Sequence, residues 1–366
     1  MAEKKGIPLT SVAGFPANVA AKLAELWITT AEELAGAAVQ EDSLAGLAGF
    51  TGLDEDEMTR LVELAQAALP PSVSFAPGDI DRHGLGALDE PPTEPPGEEP
   101  ARFAPLPPAV DLHGRLPGVR NQGQRGSCVA FACTAVREML LGQQSTQGDL
   151  SEQFLYWNAK QHDGYPGEGT YVHLAMGLLK SDGICPETVW PYVPTPIPGN
   201  IGQDPPPPDA RSKALPYKIT DTQKITSTWV DSIREVLAEE RPVAFAVPVY
   251  TYWFSEPARS TGDIRLPLPT DHKEGGHAMC MVGYEQDATA PGGGVFLVRN
   301  SWGTGWAGNN SLAPGHCRIP FDYINQFGTA AFSAVVTEVP PEPVEPEQPL
   351  SIWQKLLEFL KRLFGG

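Results

Sequence analysis

Two stretches dense in proline and glutamate break this chain before any other feature is weighed. Between Pro70 and Pro108 the sequence passes through DEPPTEPPGEEP, and from Val339 to Pro349 it reads VPPEPVEPEQP. Proline fixes φ and lacks a backbone donor, and these stretches hold too little apolar surface to build a core. The chain therefore divides into a helical piece, 1–70, a linker, 71–106, a large piece, 107–338, a second linker, 339–349, and a final segment, 350–366.

Charge excludes one broad class of function. The 366 residues carry a formal charge of -19, whereas nucleic-acid affinity rests on Lys and Arg neutralising phosphates. The acidity favours solubility and selects no substrate. No run of about 18 apolar residues is present, so no membrane-spanning helix is expected. The start, MAEKKGIPLTSVAGF, has no continuous apolar stretch before a small-residue cleavage site, so a signal peptide is not expected. Five cysteines, Cys128, Cys133, Cys185, Cys280 and Cys317, are odd in number and widely spread. With no Cys-x-x-Cys pair, neither a metal site nor another cofactor is implied, and a reduced, cytoplasmic protein fits best.

The first piece contains two similar units, VAGFPANVAAKLAELWITTAEELAGA and LAGFTGLDEDEMTRLVELAQAAL. Each reads as a Gly-Phe turn leading to an amphipathic helix, and Thr30 followed by Glu32 and Glu33 reads as a helix start. The zone resembles helix-hairpin-helix repeats, small modules that often bind DNA. Here Glu32, Glu33, Asp54, Glu55, Asp56 and Glu57 crowd it with negative charge. A protein-binding module is expected rather than a DNA-binding one.

The chemistry lies in the large piece. In NQGQRGSCVAFACTAVREMLL, glycines and polar residues up to Ser127 read as a tight loop, and an apolar helix begins at Cys128. A lone cysteine is ordinarily a small buried hydrophobe. At a helix N-terminus, however, unpaired N–H groups and the dipole favour an anion, so the thiol pKa is expected to fall and a nucleophilic thiolate to accumulate. Further on, Ala278–Tyr284 and Val295–Val298 are apolar runs flanking a glycine-rich turn, and they read as a buried β-hairpin. His277 opens its first strand and Asn300 closes its second. Antiparallel pairing makes them neighbours.

These residues resemble the signature of the papain family of cysteine peptidases. Gln122 stands six positions before Cys128, Gly276-His277-Ala278 resembles the family's histidine box, and Asn300-Ser301-Trp302-Gly303 resembles its Asn-Ser-Trp-Gly box. LSEQFL at Leu150–Leu155, GICPETVWPY at Gly183–Tyr192 and GHCRIPFDYI at Gly315–Ile324 fit further family segments, the second in a bacterial style. The resemblance covers about residues 107–336. It implies an α+β fold whose catalytic domain has two lobes, one helical and one β-barrel-like, with a small all-α domain before it and a tethered amphipathic helix after it. Cys128 would attack the scissile carbonyl, His277 would act as its base, Asn300 would orient the imidazole, and Gln122 with the Cys128 N–H would form the oxyanion hole. Trp302 would shield the histidine–asparagine bond. Gly167, Glu168, Gly169 and Thr170 resemble the family's substrate-binding wall, and Gly276, Ala278 and Trp302 would contribute to substrate binding beside the histidine. Glu168 would either favour basic side chains nearby or stand as a solvated surface carboxylate.

Some positions depart from the family pattern. Val129 replaces a tryptophan after the nucleophile, and Arg125 stands where secreted members carry a disulfide cysteine. No helical propeptide pattern is present, so the acidic linker or the helical units are expected to cover the groove instead. Residues 196–210 read as a surface-loop insertion. The last segment puts Ile352, Trp353, Leu356, Leu357, Leu360, Leu363 and Phe364 on one face. It is expected to dock into a partner's groove, such as a compartment shell, or to lie on a membrane surface. An idle papain-like scaffold is the alternative to an active peptidase.

Overall fold

A computed structural model describes residues 4–39, 42–70, 75, 83–91, 105–141, 148–225 and 229–336. The expected linker 339–349 and terminal helix 350–366 lie outside the described residues.

Helix α1 spans Ala17–Ala24, α2 Ala31–Ala38, α3 Ser43–Thr51 and α4 Glu55–Ala68. The helix start read at Thr30 is a capping box: Thr30 Oγ1 accepts from Glu33 N, and the Glu33 carboxylate accepts from Thr30 N. Such reciprocal capping satisfies two otherwise orphaned donors and contributes about 1 kcal/mol. Asp54 caps α4 in the same sense, accepting from Glu57 N at 2.7 Å. The two sequence units are not equivalent. Gly14 and Phe15 precede α1, whereas Gly49 and Phe50 form the end of α3, and the chain turns at Gly52, in the left-handed region at φ 77°. The repeat reading is not supported.

The helical piece is fastened to the large one, with which it forms one compact unit. Leu266 N donates to Leu26 O at 3.1 Å, and Lys5 Nζ donates to Asn309 O at 3.0 Å. Lys4 lies over the Trp27 ring at 3.7 Å and pairs with Glu33, while the Arg318 guanidinium reaches the same ring at 5.4 Å. Part of the surface expected to bind a partner is thus already buried against the chain itself.

In the large piece, strand β1 (Ala109–Asp111) precedes three helices, α5 (Cys128–Leu141), α6 (Glu152–Lys160) and α7 (Val172–Ser181). Short helix α8 (Ala210–Ala214), β2 (Asp221–Lys224), α9 (Trp229–Ala238), β3 (Val243–Tyr250) and α10 (Ala258–Thr261) follow. The chain then forms β4 (Lys273–Gln286), β5 (Gly294–Arg299), β6 (His316–Pro320), α11 (Phe321–Phe327) and β7 (Ala330–Val335). The antiparallel sheet runs β2-β7-β3-β4-β5-β6, with β1 added beside β4. The lobe expected to be barrel-like therefore has two edges, β2 and β6, that do not pair with each other. Helix α5 packs on β4, and its residues from Cys128 to Met139 are all buried. The hairpin read from sequence is β4–β5, with a register shift between Met281 and Gly283. Among the described residues, no helix is long and apolar enough to cross a membrane, and no His/Cys/Asp/Glu group could hold a metal ion.

Gly36 of α2 faces the Glu256–Pro257 backbone so closely that a Cβ would collide with the Glu256 carbonyl oxygen. Alanine in a helix ordinarily gains about 1 kcal/mol over glycine, but overpacking costs about 1–3 kcal/mol. Gly36→Ala should therefore lower the melting temperature. Gly49→Ala in α3, where a Cβ meets nothing within 4 Å, should leave it unchanged or raise it. Thermal unfolding of the two variants checks the docking contact, and equal shifts would contradict it.

Candidate active site

The loop before α5 is built to present Cys128 at the first helical position. Gly123, at φ 65°, takes a conformation unfavourable to side chains, and its N–H donates to Asn121 Oδ1 at 2.9 Å. Arg125 is fully buried and donates from Nη1 to Gln153 Oε1 at 2.6 Å and to Val193 O at 2.9 Å. Its guanidinium also lies 4.9 Å from the Tyr192 ring centre. Gly126 N donates to Glu168 Oε2 at 3.0 Å, and the Ser127 and Tyr192 hydroxyls meet at 2.6 Å.

From the sheet side, β4 supplies His277, opposite Val247 of β3. Its Nε2 lies 2.8 Å from Asn300 Oδ1, just past the end of β5. The same Asn300 atom accepts from Ser301 N at 2.7 Å. A backbone N–H can only donate, so this atom is the amide oxygen and His277 Nε2 carries the proton. That leaves Nδ1 as the basic nitrogen, buried and without a hydrogen-bond partner. Trp302 stacks on the imidazole at 4.6 Å and covers the pair.

A seam joins the two sides. Gln122 N donates to Ser301 O at 2.8 Å, Ser301 Oγ donates to Gln122 Oε1 at 2.6 Å, and Gly303 N donates to Arg120 O at 3.0 Å. Ser301 thereby turns the Gln122 Nε2 donor toward the groove. The backbone amides of Ala278, Gly86, Val129 and Cys128 itself act on the Cys128 sulfur, which places the cysteine beside the residue following His277.

The groove is occupied by the chain's own residues 83–91, a strap within the stretch read as linker. Gly84 N donates to Gly123 O at 2.9 Å, and Gly84 O accepts from Gln122 Nε2 at 2.9 Å. Gly86 N and Ala87 N both lie 3.1 Å from Gly276 O. Thr170 N donates to Gly86 O at 2.9 Å and Leu88 N to Thr170 O at 3.0 Å, so Ala87 bridges Thr170 in parallel. The ends are held by side chains. His83 stacks on Trp302 at 4.8 Å, and Glu90 accepts from His173 N at 3.1 Å. An open groove of about 840 Å³ flanks the His83 end, lined in part by Phe254, Arg259 and Trp306.

Burial changes the charge state expected from sequence. Desolvation pushes the Cys128 thiol up to about 11, outweighing the amides that favour its anion. Desolvation also pushes His277 down to about 4 against the bond from Asn300. Under the strap the pair is a thiol and a neutral imidazole. The expected resting thiolate is corrected accordingly: a helix N-terminus stabilises an anion by about 1 kcal/mol, less than removing it from water costs.

The structure brings together Cys128, His277, Asn300, Gln122, Trp302 and the backbones of Gly276, Ala278 and Thr170. Gly169 lies against Gly86 of the strap. Gly167 and Glu168 are turned to other tasks: Gly167 O accepts from Lys160, while the Glu168 carboxylate holds Gly126 N and, at 2.5 Å, the Tyr156 hydroxyl. Glu168 is therefore not free to select basic side chains. Sequence reasoning missed Ser301 and Lys160; cover of the groove by the acidic linker was expected, and residues 83–91 are the part that provides it. The string HGLGAL inside a proline- and acid-rich stretch was the available signal for the strap.

A family model described as papain family cysteine protease matches residues 106–319. The chain is 26% identical over 231 residues to an uncharacterized peptidase C1-like protein of Acanthamoeba polyphaga mimivirus, covering 60% of this chain and 69% of that one. It is 27% identical over 210 residues to pro-cathepsin H of Bos taurus, covering 55% of this chain and 58% of the bovine protein. Among solved structures it resembles xylellain, a cysteine protease from Xylella fastidiosa, with TM-score 0.60 and 27% identity, covering 70% of this chain and 98% of that one. Digestive procathepsin L 3 of Tenebrio molitor, at TM-score 0.50 and 23% identity over 70% of this chain and 76% of that one, shares the fold.

With the thiol at about 11, its ionised fraction at pH 8 is about a hundredfold below that of an unperturbed cysteine. Alkylation of the full chain by iodoacetamide at pH 8 should be slower by at least that factor, with Cys128→Ala as the background. A rate equal to that of a free thiol would show that the sulfur is neither buried nor covered.

Proposed function

Because the chain belongs to the papain family of cysteine proteases, we propose that it is a cysteine endopeptidase held latent by its own residues 83–91. In this reading Cys128 loses its proton to His277 Nδ1, and the thiolate adds to the scissile carbonyl. The developing oxyanion is met by Gln122 Nε2 and the Cys128 N–H. The imidazolium then protonates the departing amine as the C–N bond breaks, leaving a thioester on Cys128. A water, deprotonated by His277, hydrolyses the thioester and regenerates the thiol. Asn300 holds the imidazole in the tautomer this sequence requires, the role an acidic residue plays in serine triads.

The observation that carries this reading is the Asn300 oxygen shared between Ser301 N–H and His277 Nε2, which directs the basic nitrogen away from the asparagine. The strap explains latency. It uses the Gln122 donor and the Gly276 and Thr170 backbones that an extended peptide would need. To the sulfur it presents the Gly86 amide. Five buried, unpaired cysteines support a cytoplasmic setting. The amphipathic character of 350–366 supports recruitment to a partner or membrane surface, and the charge of the helical piece supports contact with protein rather than DNA.

A permanently covered site would also suit the alternative, an idle scaffold, and one pair of variants separates the two. A Cβ at position 86 would collide with the Gly126 carbonyl oxygen. Gly86→Val should thus expel the strap and raise hydrolysis of a fluorogenic peptide by about tenfold or more, while Cys128→Ala abolishes it. An epoxide that traps papain-like thiols should label Gly86→Val faster than the wild type. If Gly86→Val neither hydrolyses peptides nor takes up the label, the active-peptidase reading is lost.

A further inference from the structure

The wall that receives an extended chain is shaped by a single ammonium group. Lys160, the last residue of α6, donates to Asp163 Oδ2 at 2.8 Å, Tyr165 O at 2.9 Å, Gly167 O at 2.9 Å and Gly169 O at 3.1 Å. Its side chain is 7% exposed and that of Asp163 is fully buried. The segment it gathers, residues 161–169, has no helix or strand of its own. It turns through Gly164 and Gly169 at φ 63° and 102°, where glycine alone is unstrained. An ammonium has three donors. Sharing them among four oxygens on alternate residues curls the backbone around one point and satisfies carbonyls that no ladder would reach.

Two consequences of this curl bear on the reaction. The residue after the last caged carbonyl is Thr170, whose N–H and C=O are the edge that pairs with the strap. The curl also aims the Glu168 carboxylate at Gly126 N, two residues before Cys128. The ammonium therefore sets both the shape of the wall and its distance from the nucleophile loop.

We infer that Lys160 is a positioning residue for substrate, pre-organising Thr170 to pair with an extended peptide backbone, and this inference rests on the peptidase reading above. Cys128, His277 and Asn300 stand on other elements. Loosening the cage should weaken binding of long substrates without slowing the bond-breaking steps on short ones, because pairing energy that depended on a fixed edge is lost to ordering it.

The test uses the full chain with Gly86→Val, so that the groove is open, and adds Lys160→Met with Asp163→Asn, so that no lone buried charge remains. Two substrates are compared: a hexapeptide long enough to reach Thr170, and an ester with a single acyl residue that cannot. KM for the hexapeptide should rise about tenfold with kcat within about twofold, while kcat/KM for the ester stays within about twofold. Equal losses on both substrates would assign Lys160 a general structural role, and no change on either would assign it none. Each result overturns the inference while leaving the peptidase reading intact. Absence of thiol-dependent hydrolysis in Gly86→Val itself would overturn both. If the combined variant does not fold, Asp163→Asn alone in the same background must show the same split between substrates at about threefold, and failure to show it would refute the role.

Discussion

The short backbone seam between residues 120–122 and 301–303 is the constraint on which the rest of this site depends. One side leads within six residues to the start of α5, and the other follows directly from the end of β5. Hydrogen bonds from Gln122 N to Ser301 O and from Gly303 N to Arg120 O hold them in register. The helical side thus brings a sulfur, the sheet side brings an imidazole and its amide, and the seam fixes the distance between them. Ser301 contributes at both ends, its N–H fixing the Asn300 oxygen and its hydroxyl fixing the Gln122 amide. Arg120 ties the same segment back to α6 through Glu152, at 2.6 Å, and to Glu187. Arg120 is part-exposed but the Glu152 carboxylate is buried, so loss of the arginine would leave an uncompensated charge, and the seam is held from behind as well as along its edge.

In the latent peptidase proposed above, desolvation accounts for an intact set of groups at rest. A thiolate–imidazolium pair needs water or fixed dipoles around it. The strap removes the water and leaves dipoles that do not compensate, so protonated sulfur and neutral imidazole are the favoured states. Geometry and charge are separable here. His277, Asn300 and Trp302 are already arranged, while burial under residues 83–91 sets the protonation states. The strap fits only because it can approach closely. At both Gly84 and Gly86 a Cβ would collide with carbonyl oxygens of the nucleophile loop, those of Arg125 and Gly126.

Local chemistry was legible in the sequence where one residue type has one physical task. The hairpin was visible because two apolar runs flank a glycine-rich turn, and its pairing puts His277 beside Asn300. The capping box at Thr30 and Glu33 was visible for the same reason. What escaped notice depended on contacts distant in sequence. Glu168 reads as a surface carboxylate until Gly126 and Tyr156 are seen to occupy it. Lys160 carries no motif in the sequence, and its task shows only in the four oxygens around it. That the acidic linker covers the groove was expected, but which of its residues do so was not legible, because their grip comes from backbone groups that every sequence possesses. The expected thiolate failed on magnitude: the helix terminus was identified correctly, but the cost of burial was left out.

The helical piece and the strap are held by neighbouring parts of one segment. Residues 253–266 carry Glu256 and Pro257, against which Gly36 of α2 packs, and Leu266, whose N–H bonds to Leu26. The same segment carries Phe254, which stacks on Trp302 at 5.3 Å and lies 6.2 Å from His83 of the strap. Trp253 meets Trp302 edge-on at 6.3 Å. One side of this ring cluster borders the open groove, and on the other Trp302 is held between Trp253, Phe254 and His277. The surface that receives the helical piece, the ring that covers His277 and the anchor of the strap are therefore parts of one packed cluster. Pro257, against which α2 packs, stands three residues from Phe254, whose ring stacks on the Trp302 that covers His277.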